Sequence, residues 1–219
     1  MESMKPVTTD TTVIPVTVWY DYICPWCYVG MARLERLHEE FNLAVTFKTF
    51  YLRPDIPPEG RARESKDGAK PGEPVTGHVA EEAAKEGLVM RRAALTPNSR
   101  LSFEATEYAK ERGLVEPFHR ECYRAYWEDG ANLGDITVLQ GLADRVGLDK
   151  GEMKKKLEIG VYTDQAQKQY EEALYLGVRG IPSFIIGRYF FSGAQPLELF
   201  KQVAQKARVE QLGLHVPGK

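Results

Sequence analysis

Tyr20-Asp21-Tyr22-Ile23-Cys24-Pro25-Trp26-Cys27-Tyr28 is the stretch on which the reading of this chain turns. A β-like apolar run over residues 16–20 leads into it, and a helical pattern leads out of it. Residues i and i+3 of a helix share a face, so the sulfurs of Cys24 and Cys27 can meet there. Pro25 suits the first helical position, where its missing N–H costs nothing. Cys24 then becomes the N-cap residue, at the positive end of the helix macrodipole. A thiolate is favoured at such a position, and the thiolate is the reactive form. The stretch therefore predicts a dithiol/disulfide redox site.

Working outward, residues 13–20 read as a buried strand with Pro15 near its start, where it harms a ladder least. Residues 25–41 read as a helix: Val29, Leu34, Leu37 and Phe41 share one face, and Arg33, Glu35, Arg36, Glu39 and Glu40 the other. Residues 45–52 alternate and are rich in β-branched and aromatic side chains, which predicts a second strand. Strand, helix, strand in this spacing make a parallel βαβ unit.

Residues 53–73 mix Pro54, Pro57, Pro58, Gly60, Gly68, Pro71 and Gly72 with charges. They read as a long loop, either a mobile lid or a solvated connection. Residues 76–177 then read almost throughout as helix. Thr76, Asp135, Asp149 and Thr163 are the expected caps, Pro117 a helix opener, and Glu152 the partner of Asp149 in a capping-box-like start. Strand character returns at residues 183–186. Gly187-Arg188 has the chemistry of a two-residue hairpin turn, residues 189–191 return antiparallel, and Pro196 opens a last helix.

The expected architecture is α/β, with a large all-helical domain inserted between the second and third strands of one mixed four-stranded sheet. Neither half of the sheet could bury its apolar face alone. The expected units are a discontinuous domain of residues 13–75 and 178–208 and a helical insert of residues 76–177, with tails at 1–12 and 209–219.

Composition narrows the function. The chain has 219 residues, a formal net charge of −2 and 43% hydrophobic residues, ordinary for a globular protein that needs no staples. The charge gives no reason to expect nucleic acid or an anionic membrane as partner. No apolar run approaches a membrane span, and residues 1–12 lack a signal-like apolar segment, so a cytoplasmic location is expected. Three cysteines fit a redox or metal site better than a disulfide scaffold.

A C-x-x-C beside a βαβ pattern is the mark of a thioredoxin-like redox motif. A second feature joins it at Gly180-Ile181-Pro182-Ser183-Phe184, just before the third strand. A cis-proline there would face the dithiol and offer the Ile181 backbone to an extended substrate; an ordinary trans proline opening a strand is the alternative, and beside the cysteine pair the cis form is expected.

Taken together, residues 19–27, the helical insert and residues 177–184 resemble the DsbA-like branch of the thioredoxin superfamily, in particular its FrnE-like subgroup. The resemblance implies a thioredoxin-like fold and thiol–disulfide oxidoreductase activity, of the protein disulfide reductase or isomerase type, on protein, peptide or small-molecule thiols. It implies that Cys24 attacks, that Cys27 resolves and that Pro182 is the cis-proline, with Pro25, Trp26, Ile181 and Pro182 lining the substrate site. Asp21, three residues before Cys24, is a candidate proton shuttle for Cys27; the alternative is a carboxylate capping the helix or facing solvent. No cofactor is implied beyond the cysteine pair, with glutathione a candidate substrate or reductant.

Three alternatives stand beside this reading. Cys24, Cys27, His119 and Cys122 form a formal C-x-x-C and H-x-x-C set for zinc, against an expectation of no metal. The 2-hydroxychromene-2-carboxylate isomerase and kappa-class glutathione transferase families share the insert and use glutathione, but typically carry serine in place of Cys24. A peptide-binding protein without catalysis would use the groove around Pro182. Cys122, four residues after Phe118, reads as a core thiol, and His38, His78 and His215 as solvated.

Overall fold

The structure is a computed structural model that describes residues 12–63 and 68–213. Of the two expected tails, residues 1–11 and 214–219, including His215, lie outside the described residues. Strand β1 (Ile14–Tyr20) pairs in parallel with β2 (Leu43–Thr49) across helix α1 (Pro25–His38). On its other side β1 pairs antiparallel with β5 (Ser183–Ile186), which pairs antiparallel with β6 (Tyr189–Ser192). The sheet order is β2-β1-β5-β6. Between β2 and β5 lie β3 (Arg61–Ala62), α2 (His78–Lys85), β4 (Leu95–Thr96), α3 (Arg100–Glu111), α4 (Val115–Trp127), α5 (Ile136–Arg145), α6 (Lys150–Glu158) and α7 (Thr163–Tyr175); α8 (Leu197–Gln211) closes the chain.

The two-residue alternation of β1 explains how the sheet is covered. Ile14, Val16, Val18 and Tyr20 are at most 1% exposed and belong to the main core. Trp19 points the other way and packs with Phe50, Ala173 and Val178. Helices α1 and α8 pack against each other, and Phe200 of α8 meets Phe184 and Phe191 of the sheet. Helix α7 packs against β2. The hairpin turn is as short as expected, since Ile186 pairs with Tyr189. Gly187 there has φ +60°, and a Cβ at that position would lie 2.7 Å from Ala207 Cβ, so both backbone and packing demand glycine.

Several local expectations shift. The first helix ends at His38, and β2 begins at Leu43 and ends at Thr49, before residues 50–52. The α2 N-cap is Gly77 and not Thr76. Helix α4 starts at Val115, two residues ahead of Pro117. Tyr162 takes the α7 cap position, and the Thr163 hydroxyl donates to Glu104 instead (3.0 Å). The Asp135 and Asp149 caps form as expected, with Asp135 accepting from the Thr137 amide and Asp149 from those of Gly151 and Glu152. Glu152 binds Tyr108 and Arg112 in place of closing a capping box. Residues 76–177 hold one short strand among their helices: β4 pairs antiparallel with β3 of the preceding segment, which the composition reads as loop. The first part of the segment read as a lid or solvated connection is anchored at Ile56, which is 4% exposed and whose carbonyl accepts from Asn98 Nδ2 at 2.6 Å.

The largest departure is Arg33. Its place on the charged face of α1 predicts exposure, yet it is 3% exposed. Its guanidinium reaches Glu82 (2.5 Å) and Glu86 (2.8 Å) of the α2 region and donates to the carbonyls of Ala194 (2.6 Å) and Gln195 (3.0 Å). Five rigid donors let one arginine satisfy several acceptors at once. The charge thereby ties α1 to α2 and to the segment before α8.

Candidate active site

The turn from β1 into α1 holds the dithiol. Cys24 is the N-cap of α1, in extended conformation and without a side-chain cap bond, and Pro25 follows as the first helical residue. The Cys27 amide donates to the Cys24 carbonyl at 3.1 Å, which brings the side chains one turn apart onto one face. Both residues are thiols, and their sulfurs lie within hydrogen-bonding reach of each other. Their surroundings differ. Cys24 is 4% exposed and Cys27 not at all. Burial first, and then contact with Cys24, pushes the Cys27 thiol well above its ordinary pKa. The buried member of the pair therefore holds its proton.

The other half of the site comes from 157 residues away. Cys24 Sγ approaches the Ile181 carbonyl at 3.6 Å, and the Ile181–Pro182 peptide bond is cis. Ser183 fixes this segment by donating to the Gly180 carbonyl at 2.7 Å, and the Pro182 carbonyl accepts from the Gly193 amide at 2.7 Å. Gly30 of α1 makes room for it. A Cβ there would meet Pro182 Cγ at 2.9 Å and Phe184 Cζ at 3.2 Å. A mid-helix glycine costs helix stability, and here the close approach of Pro182 accounts for it. That unexplained glycine was the available signal in the sequence.

Asp21 is fully buried. Its carboxylate accepts from the Ile23 amide (3.2 Å), the Leu52 amide (2.9 Å) and the Ser99 hydroxyl (3.1 Å). These bonds favour the charged form, but desolvation outweighs them and raises the pKa to about 7. The solvated alternative for Asp21 is thus excluded; one oxygen does bind the turn that enters α1. Its charge also acts on Cys27, raising the thiol further.

The turn is held from the opposite side by α4. The Tyr123 hydroxyl donates to the Asp21 carbonyl (3.2 Å) and Trp127 Nε1 to the Tyr22 carbonyl (2.9 Å). Tyr28 stacks on Tyr123 with ring centroids 5.2 Å apart. Ser99, Tyr123 and Trp127 carried no sequence signal, since they lie 78 to 105 residues from their partners. Trp26 and Pro25 are half-buried beside Cys24, and Trp26 lies against the ring of His78, 5.5 Å between centroids.

The zinc set is not assembled. Among the described residues no three His, Cys, Asp or Glu side chains are grouped to hold a metal ion. His119 sits in an aromatic box with Tyr20 and Phe47, each 4.5 Å from its ring centroid, and burial lowers its pKa to about 3. Cys122 is fully buried and its thiol is pushed far up by desolvation. His38 and His78 are exposed.

Residues 15–205 match the DSBA-like thioredoxin domain model, and the chain belongs to that family. It is a thiol-oxidoreductase family with a thioredoxin-like fold, which fits a dithiol at the strand-to-helix turn. YwbO of Bacillus subtilis strain 168, an uncharacterized protein, is 31% identical over 86% of this chain and 94% of its own length. SCO1869 of Streptomyces coelicolor, a probable DsbA oxidoreductase, superposes with a TM-score of 0.73 at 30% identity, over 94% of this chain and 93% of that one. A 2-hydroxychromene-2-carboxylate isomerase shares the fold with a TM-score of 0.69 at 17% identity, over 92% of this chain and all of that one. Among the described residues no helix is long and apolar enough to cross a membrane.

Proposed function

We propose that this chain is a thiol–disulfide oxidoreductase of the protein disulfide reductase or isomerase type, working through the Cys24-Pro25-Trp26-Cys27 dithiol. The observation that carries the reading is the asymmetry of the pair. Cys24 sits at a helix N-terminus against the Ile181 carbonyl, while Cys27 is wholly buried with its pKa raised.

The exchange runs in two displacements. Cys24 thiolate attacks one sulfur of a substrate disulfide, forming a mixed disulfide and releasing the other sulfur as a thiolate. Cys27 then loses its proton and attacks Cys24 Sγ, which frees the second substrate thiolate and leaves a Cys24–Cys27 disulfide. Two electrons pass to the substrate, and both thiolates take up protons. Two molecules of glutathione in succession, or one protein dithiol, reduce the enzyme again by the reverse steps and leave as a disulfide. Asp21, with a pKa of about 7, is suited to accept the Cys27 proton in the second displacement. Ile181 and Pro182 on one side and Pro25 and Trp26 on the other flank the exposed edge of Cys24 and are the proposed substrate contacts. The unstapled three-cysteine chain fits work in the reducing cytoplasm.

The pair favours redox exchange over glutathione-dependent isomerisation or simple peptide binding, because neither of those needs a second thiol. Insulin disulfide reduction with dithiothreitol as electron source tests the proposal. Cys24→Ser is expected to abolish turnover, and Cys27→Ala to accumulate mixed disulfide. Full activity in Cys24→Ser would sink the reading.

A further inference from the structure

The anchored segment after β2 and the β3–β4 ladder enclose a groove of about 710 Å³. Ile23 and Pro25, the residues on either side of Cys24, both line it, so one end of the groove opens at the dithiol. Ile56 and Tyr126, both buried, give it an apolar floor. Its rim carries Arg53, Arg61 and Arg63, all exposed, and among the described residues no acidic side chain lines it. Asp55 stands just outside and pairs with Arg61 at 3.1 Å, compensating one of the three charges. Arg63 lies beside the hydroxyl of Tyr126, which lines the same groove. The protein as a whole has a net charge of −2, so this concentration of positive charge is local to the mouth of the dithiol.

We propose, resting on the exchange reading above, that this groove takes an extended polypeptide segment with carboxylate side chains next to the reacting cysteine. The enzyme then selects acid-flanked cysteines in its protein substrates. The apolar floor accepts backbone and side-chain stems, and the guanidinium groups pair with carboxylates in the bidentate geometry that arginine favours. The two displacements are unchanged; the groove decides which disulfide reaches Cys24. Each partly exposed pair contributes modestly, so Arg53 and Arg63, which pair with no carboxylate among the described residues, predict a preference of about fivefold to tenfold.

The test uses the full chain with dithiothreitol as reductant and peptide disulfides of equal length whose cystine is flanked by Glu, Gln or Lys. Glutathione disulfide and the uncharged hydroxyethyl disulfide complete the set. The expected kcat/KM order is Glu over Gln over Lys, with about fivefold to tenfold between the extremes at low salt. The spread should collapse near 1 M salt, where the screening length falls to about 3 Å. Arg53→Glu and Arg63→Glu should each shrink or invert the order. Equal rates for the three peptides, or an order that survives both substitutions, would overturn the proposal while hydroxyethyl disulfide turnover leaves the exchange reading standing. Glutathione disulfide outrunning the Glu peptide with the same Arg53 dependence would overturn the polypeptide assignment in favour of a small anionic disulfide. No turnover of hydroxyethyl disulfide by the unmodified protein would overturn both readings.

Discussion

The two ends of α1 treat buried ionisable groups in opposite ways. In its third turn Arg33 is buried but met by two carboxylates and two carbonyls. At its start Asp21 and Cys27 are more deeply buried, and desolvation dominates both, despite three hydrogen-bond donors on Asp21. Full compensation fixes a charge state and makes a structural tie. Incomplete compensation leaves a proton poised to move, which is what exchange chemistry needs. One helix therefore carries a compensated charge in its third turn and desolvated, proton-holding groups at its start.

The largest expected effect breaks the structural tie. Arg33→Met leaves Glu86, whose side chain is 4% exposed, without its buried partner. It should cost about 3–5 kcal/mol of unfolding free energy, measured by urea denaturation. Turnover per folded molecule should hold. A loss below about 1 kcal/mol would show that the cluster behaves as a surface pair.

Next is the pH dependence at the reactive end. The Asp21 pKa rises from 3.8 unfolded to about 7 folded, so the folded state binds the extra proton in that window. Its contribution to stability is present below pH 3.8 and is lost as pH rises towards 7, then levels off. The steepest slope is about 1.4 kcal/mol per pH unit. The difference in unfolding free energy between the native chain and Asp21→Asn should follow this curve, and Asp21→Asn should lose an inflection near pH 7 in the resolution of the mixed disulfide. A flat difference would mean that Asp21 keeps an ordinary pKa.

Smaller effects sharpen the comparison. Gly30→Ala gains about 1 kcal/mol of helix propensity but sets a methyl against the Pro182 ring. A net loss of about 1 kcal/mol is expected, together with slower attack by Cys24 as the Ile181 carbonyl is pushed away. Unchanged kinetics would show that the facing segment shifts freely. The smallest change is Cys122→Ala, which should leave insulin reduction unaffected; a loss would assign this thiol a role that its burial argues against.

Much of the site was legible because its signals are local. The strand-to-helix turn, Pro25 at the first helical position and the i, i+3 sulfurs all lie within nine residues, 20–28. Gly180-Ile181-Pro182 could be paired with them through the C-x-x-C context. That the two half-sheets join into one followed from each needing a cover; that β1 and β5 are the strands that pair is read from the structure. Arg33 was misplaced because periodicity records polarity and not partners: a charged side chain on a polar face is exposed unless other elements cover it. Residues 53–60 are loop, as their composition reads; what composition does not show is that Asn98 and the β3–β4 ladder anchor the segment as a groove wall.

The sequence by itself determined the cysteine pair at a strand-to-helix turn, the strands and helices next to it and the family, because helix periodicity, capping and proline chemistry act over a few residues. The tertiary structure alone decided which thiol is buried, that Asp21 is desolvated, that Gly30 admits Pro182 and that Ser99, Tyr123 and Trp127 hold the turn. These depend on which surfaces lose water and which distant atoms come within a few ångströms. Desolvation is a property of the folded neighbourhood, and no stretch of the chain carries it alone.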